Sequence, residues 1–155
     1  MRGALEEPFD RLYRAESDRL WRALVAFSGD REVASDAVAE AFAQCIRRGG
    51  EVRDPRAWLW RAGFAIARGE LKERSRWRTL AEVEDEPAPD EGLGRLLRAL
   101  AHLSSKQRAA VLLRHYAGYR PHEVARMLGI APATVRVHLA RARRSLAKLL
   151  EEGWE

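Results

Sequence analysis

The residues of this chain with the clearest chemistry are the arginines between positions 134 and 148, a segment that reads TVRVHLARARRSLAK. A guanidinium group forms paired hydrogen bonds with the edge of guanine, and it also binds phosphate oxygens. Apolar residues recur among the arginines at helical spacing, so one face would be buried and the opposite face basic. The apolar positions are Val135, Leu139, Ala142, Leu146 and Leu149. The segment therefore predicts an amphipathic helix that binds a nucleic acid.

A short helix and a tight turn come directly before this segment. The stretch from Pro121 to Leu128 has an apolar face, and Gly129 supplies the turn because glycine takes the left-handed conformation without steric cost. Ile130 would fill the corner, and Pro132 is tolerated in the first turn of the second helix. Two helices joined in this way predict a helix-turn-helix, which lays its second helix in the major groove of DNA.

The second helix is expected to divide its contacts along its length. Residues near its N-terminus should approach base edges, and the later arginines should contact phosphates. Arg136 is the best candidate for a direct contact with guanine, and His138 is expected to read a base edge or to bind phosphate. The alternative, a merely solvated basic face, is disfavoured because turn chemistry, helix lengths and charge all agree. The predicted DNA-reading residues are Ala133, Thr134, Arg136, Val137, His138, Arg141, Arg143 and Arg144.

Charge is distributed unevenly along the 155 residues. Residues 1–78 carry 16 Lys and Arg against 13 Asp and Glu, a net charge of +3. Residues 79–94 carry six acidic residues and no basic one, whereas residues 95–155 carry 12 basic and four acidic residues, a net charge of +8. The basic C-terminal part predicts a polyanionic partner. The acidic segment contains prolines and almost no apolar mass, so it is expected to be a flexible linker.

Three helices are predicted in the N-terminal part. The first carries apolar residues at helical spacing as far as Phe27, the second begins at the N-cap Asp30, and the third begins at Asp54 followed by Pro55. The inner face of the second helix is predicted as Val33, Ala34, Ala37, Val38, Ala41, Phe42, Cys45 and Ile46. The inner face of the third is predicted as Trp58, Leu59, Ala62 and Ile66.

In the C-terminal part, two further helices are predicted before the helix-turn-helix. The first passes through Leu96 and Leu100, and the second begins at Ser104, with Gln107 as its capping-box partner. No stretch alternates apolar and polar residues as a half-buried strand does. We therefore predict an all-α fold with two small helical domains. Residues 1–78 form a three-to-four-helix bundle, residues 79–94 the flexible acidic linker, and residues 95–155 the helix-turn-helix domain.

Other classes of function find little support in the sequence. Cys45 is the only cysteine, which excludes an intrachain disulfide and is typical of a buried structural thiol. The four histidines lack metal-binding spacing, and no glycine-rich phosphate loop or catalytic carboxylate pair stands out. We therefore expect no metal, no cofactor and no enzymatic activity. Neither a secretory signal nor an apolar run of membrane-spanning length is present, which predicts a cytoplasmic protein without membrane insertion.

The C-terminal segment resembles region 4 of bacterial RNA polymerase sigma factors, in the extracytoplasmic-function (ECF) group of the sigma-70 family. The matching residues are Leu103-Ser104, Arg108, Val111, Leu113, Tyr116, Gly118, Glu123-Val124-Ala125, Leu128-Gly129-Ile130, Thr134-Val135-Arg136 and Arg141-Ala142-Arg143. Helix-turn-helix domains of response regulators share the stretches EVARMLGI and TVRVH, but they lack the arginine-rich tail RARRSLAKLL.

The N-terminal segment resembles region 2 of the same group. The resemblance rests on Gly29-Asp30, Ala34, the alternating Asp36, Val38, Glu40 and Phe42, and Trp58-Leu59-Trp60-Arg61. It implies a protein that is not an enzyme, that binds core RNA polymerase and promoter DNA, and that has an anti-sigma factor as a further partner. It also implies that region 4 reads the −35 element, and that Asp36, Val38, Glu40 and Phe42 bind polymerase.

For the −10 element, the resemblance implies strand contacts by the second half of region 2. The residues are Arg68, Lys72, Arg74, Arg76 and Trp77. Trp77 would either stack on single-stranded DNA or pack at the domain edge. Trp58 and Trp60 are predicted as packing residues rather than base-stacking platforms.

The chain departs from the family's pattern at three positions. The family commonly has glutamine where Ala39 stands, asparagine where Ala65 stands, and Asp or Asn where Gly69 stands. Alanine and glycine have no side-chain hydrogen-bonding group with which to read an unpaired base. A second interpretation therefore stays open, a sigma-like helix-turn-helix regulator that binds DNA without opening promoters.

Overall fold

The computed structural model describes the backbone of residues 2–75 and 91–152. The described residues form helices and turns without any strand, as the sequence predicts. The chain divides into two compact units, Met1–Glu73 and Arg74–Glu155. Residues 79–90, most of the linker predicted at 79–94, lie outside the described part of the chain.

Three helices make up the N-terminal unit. They are α1 (Arg2–Ser28), α2 (Arg31–Arg48) and α3 (Pro55–Ser75), and a 3₁₀ turn at Gly49–Glu51 follows α2. Asp30 caps α2 because its Oδ1 accepts hydrogen bonds from the backbone N–H of Glu32 at 2.9 Å and of Val33 at 3.2 Å. Asp54 caps α3 in the same way, by accepting from the N–H of Ala57 at 3.1 Å. Both predicted helix starts are confirmed.

The core of the N-terminal unit differs from the prediction along α3. The predicted inner face of α3 has only Leu59 fully buried, whereas Trp58, Ala62 and Ile66 are half-buried. The residues that the helix buries completely or nearly so are Leu59, Trp60, Phe64 and Ala67. Gly63 also lies on this face, where a Cβ atom would come within 3.2–3.3 Å of the Leu20 and Leu24 side chains. The absence of a side chain there lets α1 pack closely against α3.

A buried carboxylate explains why Trp60 can be an interior residue. Glu16 of α1 accepts a hydrogen bond from Trp60 Nε1 at 3.0 Å. It also forms an ion pair with Arg56, whose Nε atom donates to the carboxylate at 2.8 Å. Trp60 is 0 % exposed and lies 6.3 Å from the Phe64 ring. The indole N–H therefore has a partner, without which its burial would be costly. Sequence reasoning missed this network because Glu16 lies 44 residues before Trp60.

The inner face of α2 is narrower than the predicted one. Val33, Ala34, Ala37, Ala41, Phe42 and Cys45 are buried, as predicted. Ile46, at the margin of the predicted face, is 58 % exposed, so its assignment to the core is wrong. Burial raises the pKa of the Cys45 thiol, in keeping with the predicted structural role.

The described residues of the C-terminal unit form four helices. They are α4 (Glu91–Ala101), α5 (Ser105–Val111), α6 (Pro121–Leu128) and α7 (Pro132–Glu152), with a π-helical turn at Leu112–Tyr116 after α5. Helix α4 begins at Glu91, inside the segment predicted as linker. Ser104 caps α5 by accepting from the N–H of Gln107 at 3.2 Å, as predicted.

Packing in the C-terminal unit joins all four helices around a small core. The fully or nearly fully buried residues include Leu100, Leu103, Leu113, Val124, Val135 and Ala142. Arg108 of α5 donates to the carbonyl of Leu103 at 3.2 Å and to that of Leu100 at 3.4 Å, which ties α5 to the end of α4. No helix in the described ranges is long and apolar enough to cross a membrane.

Candidate nucleic-acid interface

The turn between α6 and α7 has the geometry that the sequence predicts. Gly129 ends α6 in the left-handed conformation, with φ 67° and ψ 35°, and its N–H donates to the carbonyl of Ala125. The next residue, Ile130, donates to the same carbonyl at 3.0 Å and is half-buried. Helix α6 starts at Pro121, and Glu123 accepts from the N–H of Arg120 at 3.0 Å. These contacts fix the direction in which α7 leaves the turn.

Seven of the eight predicted DNA-reading residues are exposed on α7. They are Ala133, Thr134, Arg136, Val137, Arg141, Arg143 and Arg144. The sequence contains no acidic residue between Pro132 and Leu150, so nothing on this helix neutralises the arginines before its last turn. Among the described residues, none of the four arginines forms an ion pair. This face is therefore a concentrated, accessible positive surface, of the kind that attracts phosphates.

His138 takes a different position from the predicted outward one. It follows the fully buried Val135 by three residues, so it lies beside the core edge of the helix. The side chain is half-buried, and its Nδ1 atom is buried without a hydrogen-bond partner. Burial lowers the pKa of His138, and the positive charges of Lys106 and Arg141 lower it further. The imidazole is therefore neutral at neutral pH.

Helix α2 exposes the carboxylates of the predicted polymerase-binding set. Asp36 and Glu40 are exposed and Val38 is half-buried. Glu40 accepts hydrogen bonds from Gln44 Nε2 at 3.0 Å and Arg47 Nη2 at 3.1 Å, and these bonds lower its pKa.

Phe42, the fourth member of that set, is a core residue in this structure. It is 4 % exposed, and its ring makes edge-to-face contacts with Phe9 at 5.7 Å and Tyr13 at 5.0 Å. Aromatic pairs of this geometry stabilise the packing of α1 against α2. Phe42 thus supports the exposed carboxylates from below instead of offering its own surface.

The structure describes only part of the predicted −10 contact set. Arg68 is half-buried and Lys72 is exposed on α3. The side chain of Arg74, and all of Arg76 and Trp77, lie outside the described part of the chain.

An open groove in the N-terminal unit includes Ala65, one of the positions where the chain departs from the family's pattern. It has a volume of about 210 Å³ and is lined by Arg48, Trp58, Arg61, Ala62 and Ala65. The guanidinium of Arg48 lies over the Trp58 ring, 5.9 Å from its centroid. The turn after α2 brings Arg48 beside the start of α3, a juxtaposition that the sequence does not signal. Ala65 and Gly69 are both exposed on α3, and a Cβ atom at Gly69 would meet nothing within 4 Å.

Comparison with known proteins gives this arrangement a family. Residues 93–146, which span nearly all of the four C-terminal helices, match the family model for Sigma-70, region 4. The ECF RNA polymerase sigma factor SigL of Mycobacterium tuberculosis is 33 % identical over an alignment covering 91 % of this chain and 88 % of SigL. The factor SigM of the same organism is 36 % identical, with 92 % of this chain and 76 % of SigM covered. The chain belongs to the family of ECF RNA polymerase sigma factors.

Solved structures agree with this membership. The sigma factor RpoE from Bartonella quintana, determined in complex with the anti-sigma factor NepR, shares the fold with a TM-score of 0.79 and 21 % identity, and 94 % of this chain and 98 % of RpoE are covered. CnrH, determined with the cytosolic domain of CnrY, gives a TM-score of 0.71 and 26 % identity, with 92 % of this chain and 87 % of CnrH covered. The resemblance stated from the sequence is confirmed.

In this ECF sigma factor, the sequence predicted the exposed residues of the C-terminal unit better than those of the N-terminal unit. The region 4 surface on α7 was predicted apart from the placement of His138. In the N-terminal unit, the predicted contact residues did not include Arg48, Arg61 or Trp58, which line the groove, and Trp58 is half-buried. In the described ranges, no group of three or more His, Cys, Asp or Glu side chains could hold a metal ion.

Proposed function

We propose that this chain binds core RNA polymerase and directs transcription initiation at specific promoters, with α7 reading the −35 element. The observation that carries the proposal is the exposed basic face of α7, free of acidic residues up to Leu150, on a helix-turn-helix inside the segment that matches sigma region 4. The chain would act as an initiation factor and not as a catalyst, in the cytoplasm where polymerase works.

The positions along α7 support a division of labour. Arg136, one turn from the N-terminus of the helix, is exposed and carries five N–H donors in a fork that matches the O6 and N7 atoms of guanine. Arg141, Arg143 and Arg144 lie further along the helix, where its axis moves away from the bases, and would bind phosphates. His138, neutral and half-buried, would keep α7 seated on α5 and contribute at most one hydrogen bond to DNA.

Polymerase binding is assigned to the exposed carboxylates of α2. Asp36 and Glu40 lie four residues apart and therefore on one side of the helix, where both carboxylates would face a basic surface of the polymerase, with Glu40 exchanging its exposed ion pair with Arg47 for the new partner. Glu40 stays ionised because its hydrogen bonds to Gln44 and Arg47 lower its pKa. Phe42 contributes indirectly by fixing α2 against α1.

The −10 element would be contacted through the groove at the start of α3. An aromatic ring flanked by arginines is the arrangement that holds an unpaired base by stacking while the cations bind its phosphates. Trp58, Arg48 and Arg61 provide these groups. We assign the same role to the basic residues further along α3, Arg68 and Lys72.

A sigma-like regulator that does not open promoters is the second candidate. The observation that favours it is the exposed, side-chain-poor surface at Ala65 and Gly69, where nothing can hydrogen-bond to a base. A solved structure of this fold, RpoE, was captured with the anti-sigma factor NepR, and we propose a partner of that class here as well.

Transcription in vitro decides between the two candidates. Purified core polymerase of the source organism would be combined with the full chain and a pool of that organism's promoter fragments. Specific transcripts that share an upstream motif establish a working sigma factor. Polymerase or DNA binding without transcripts establishes the regulator, and transcripts gained by the double variant Ala65→Asn, Gly69→Asp would identify those positions as the reason. Loss of the shared motif with Arg136→Ala would assign the motif to α7.

A further inference from the structure

We propose that Val137 reads a thymine within the −35 element by packing against the C5 methyl group in the major groove. This inference rests on the proposed reading of DNA by α7 and names one base class that the helix selects. Thymine presents that methyl group only in the major groove, where an apolar side chain can contact it.

The position of Val137 on α7 carries the first step. The buried residues of the helix include Val135 and Ala142, and one residue corresponds to about 100° of rotation, so Val137 points nearly opposite to the core. Its side chain is 45 % exposed. Its exposed neighbours one turn away are Ala133, Thr134, Ala140 and Arg141, and the two alanines are the only other apolar ones. Val137 is therefore the apolar group that projects furthest from this part of the helix.

The residues on either side of Val137 carry the second step. Arg136 and Arg143 flank it on one side of the helix, Thr134 and Arg141 flank it on the other, and Arg144 lies two turns further on, nearly in line with it. A surface with an apolar centre and cationic edges complements the major groove, because phosphates form both rims of the groove and the thymine methyl group lies on its floor.

The test removes one methyl group from the DNA and nothing else. A −35 sequence is first selected from a randomised duplex pool with the full chain bound to core polymerase. Each thymine of the selected element is then replaced in turn by deoxyuridine, which pairs identically but lacks the C5 methyl group, and binding is measured by competition. At one position the wild-type protein should lose about fourfold in affinity, the factor expected for one buried methyl group.

A pair of variants connects that loss with Val137. Val137→Ala should bind the thymine element more weakly and should show no further loss with deoxyuridine. Leu150→Ala is the matched control, because Leu150 lies near the far end of the same helix and is 47 % exposed, close to the value for Val137. It should keep the full sensitivity to deoxyuridine.

Failure of the inference is distinguishable from failure of the proposed function. If no sequence is enriched by the selection, the reading of DNA by α7 is refuted. If a sequence is enriched but contains no thymine, or tolerates deoxyuridine at every position, the proposed function stands and the role of Val137 is overturned. Sensitivity that persists in Val137→Ala overturns it equally, because the methyl group would then contact another residue.

Discussion

Removing the carboxylate of Glu16 should lower the free energy of unfolding of the N-terminal unit by more than removing an exposed carboxylate does. Glu16 is 7 % exposed and is the shared acceptor for Arg56 and Trp60, which joins α1 to α3. Glu16→Ala takes the acceptor away from an indole that is 0 % exposed and the counter-charge away from a guanidinium whose side chain is 33 % exposed. The network is also supported by the Arg56 guanidinium over the Trp60 ring, at 5.8 Å.

The size of the stability loss depends on how far water can hydrate the Arg56 and Trp60 side chains once the carboxylate is gone. Breaking a fully buried ion pair costs about 3–5 kcal/mol, but Arg56 is one-third exposed and water would recover part of that. An unsatisfied buried N–H group costs about 1–3 kcal/mol, and the Trp60 side chain, 0 % exposed, stays out of bulk water while the fold persists. We therefore expect Glu16→Ala to lower the free energy of unfolding by about 2–4 kcal/mol. Glu16→Gln keeps the shape and one acceptor, so its cost should be about 1–2 kcal/mol.

Urea unfolding followed by tryptophan fluorescence and far-ultraviolet circular dichroism would measure these costs in the full chain. Asp18→Ala is the matched control, because Asp18 pairs with Arg22 at 3.2 Å on the same helix with both side chains about two-thirds exposed. Such a pair contributes less than about 1 kcal/mol. If Glu16→Ala lies within about 0.5 kcal/mol of Asp18→Ala, the buried network does not hold α1 to α3 and the reasoning is wrong.

Three further predictions concern recognition and the turn. Arg136→Ala should lose about 1–3 kcal/mol of discrimination at one base position. Arg143→Ala should instead weaken binding to all DNA sequences and reduce the salt dependence of that binding. Competition binding at several salt concentrations distinguishes the two effects. Glu40→Lys should weaken binding to core polymerase in a pull-down while the full chain keeps its affinity for −35 DNA. Gly129→Ala should destabilise the C-terminal unit by about 1–2 kcal/mol, because φ is +67° there and no atom within 4 Å adds a clash.

Each of these predictions has a result that would contradict it. Equal weakening on all sequences would make Arg136 a phosphate contact, and unchanged pull-down would remove Glu40 from the polymerase interface. Gly69→Ala is the control for the turn, because it should change stability in the opposite direction. Gly69 is an exposed helical glycine with free space around it, so alanine there should raise the free energy of unfolding by about 0.5–1 kcal/mol. Equal effects of the two glycine substitutions would show that the left-handed backbone at Gly129 is not the cause.

Short-range signals account for what could be predicted of the fold. The helix starts at Asp30, Asp54 and Ser104 and the left-handed turn at Gly129 each depend on hydrogen bonds or dihedral angles within a few residues. The outward face of α7 was predictable because its apolar residues recur with a single helical period. The family motifs in region 4 are of the same local kind, and they sufficed to place the chain among the ECF sigma factors.

The sequence by itself therefore determined most of the helices, the helix starts at Asp30, Asp54 and Ser104, the exposed basic face of α7 and the family. Tertiary structure decided that the face of α3 with Trp60, and not the face with Trp58, became the core. That choice depends on the carboxylate of Glu16, which lies in α1, 44 residues before Trp60. Tertiary structure also half-buried His138 within the field of Lys106 on α5, buried Phe42 against Phe9 and Tyr13 of α1, and brought Arg48 over Trp58. In each case, the deciding partner lies on another helix, and helical periodicity carries information about one helix at a time.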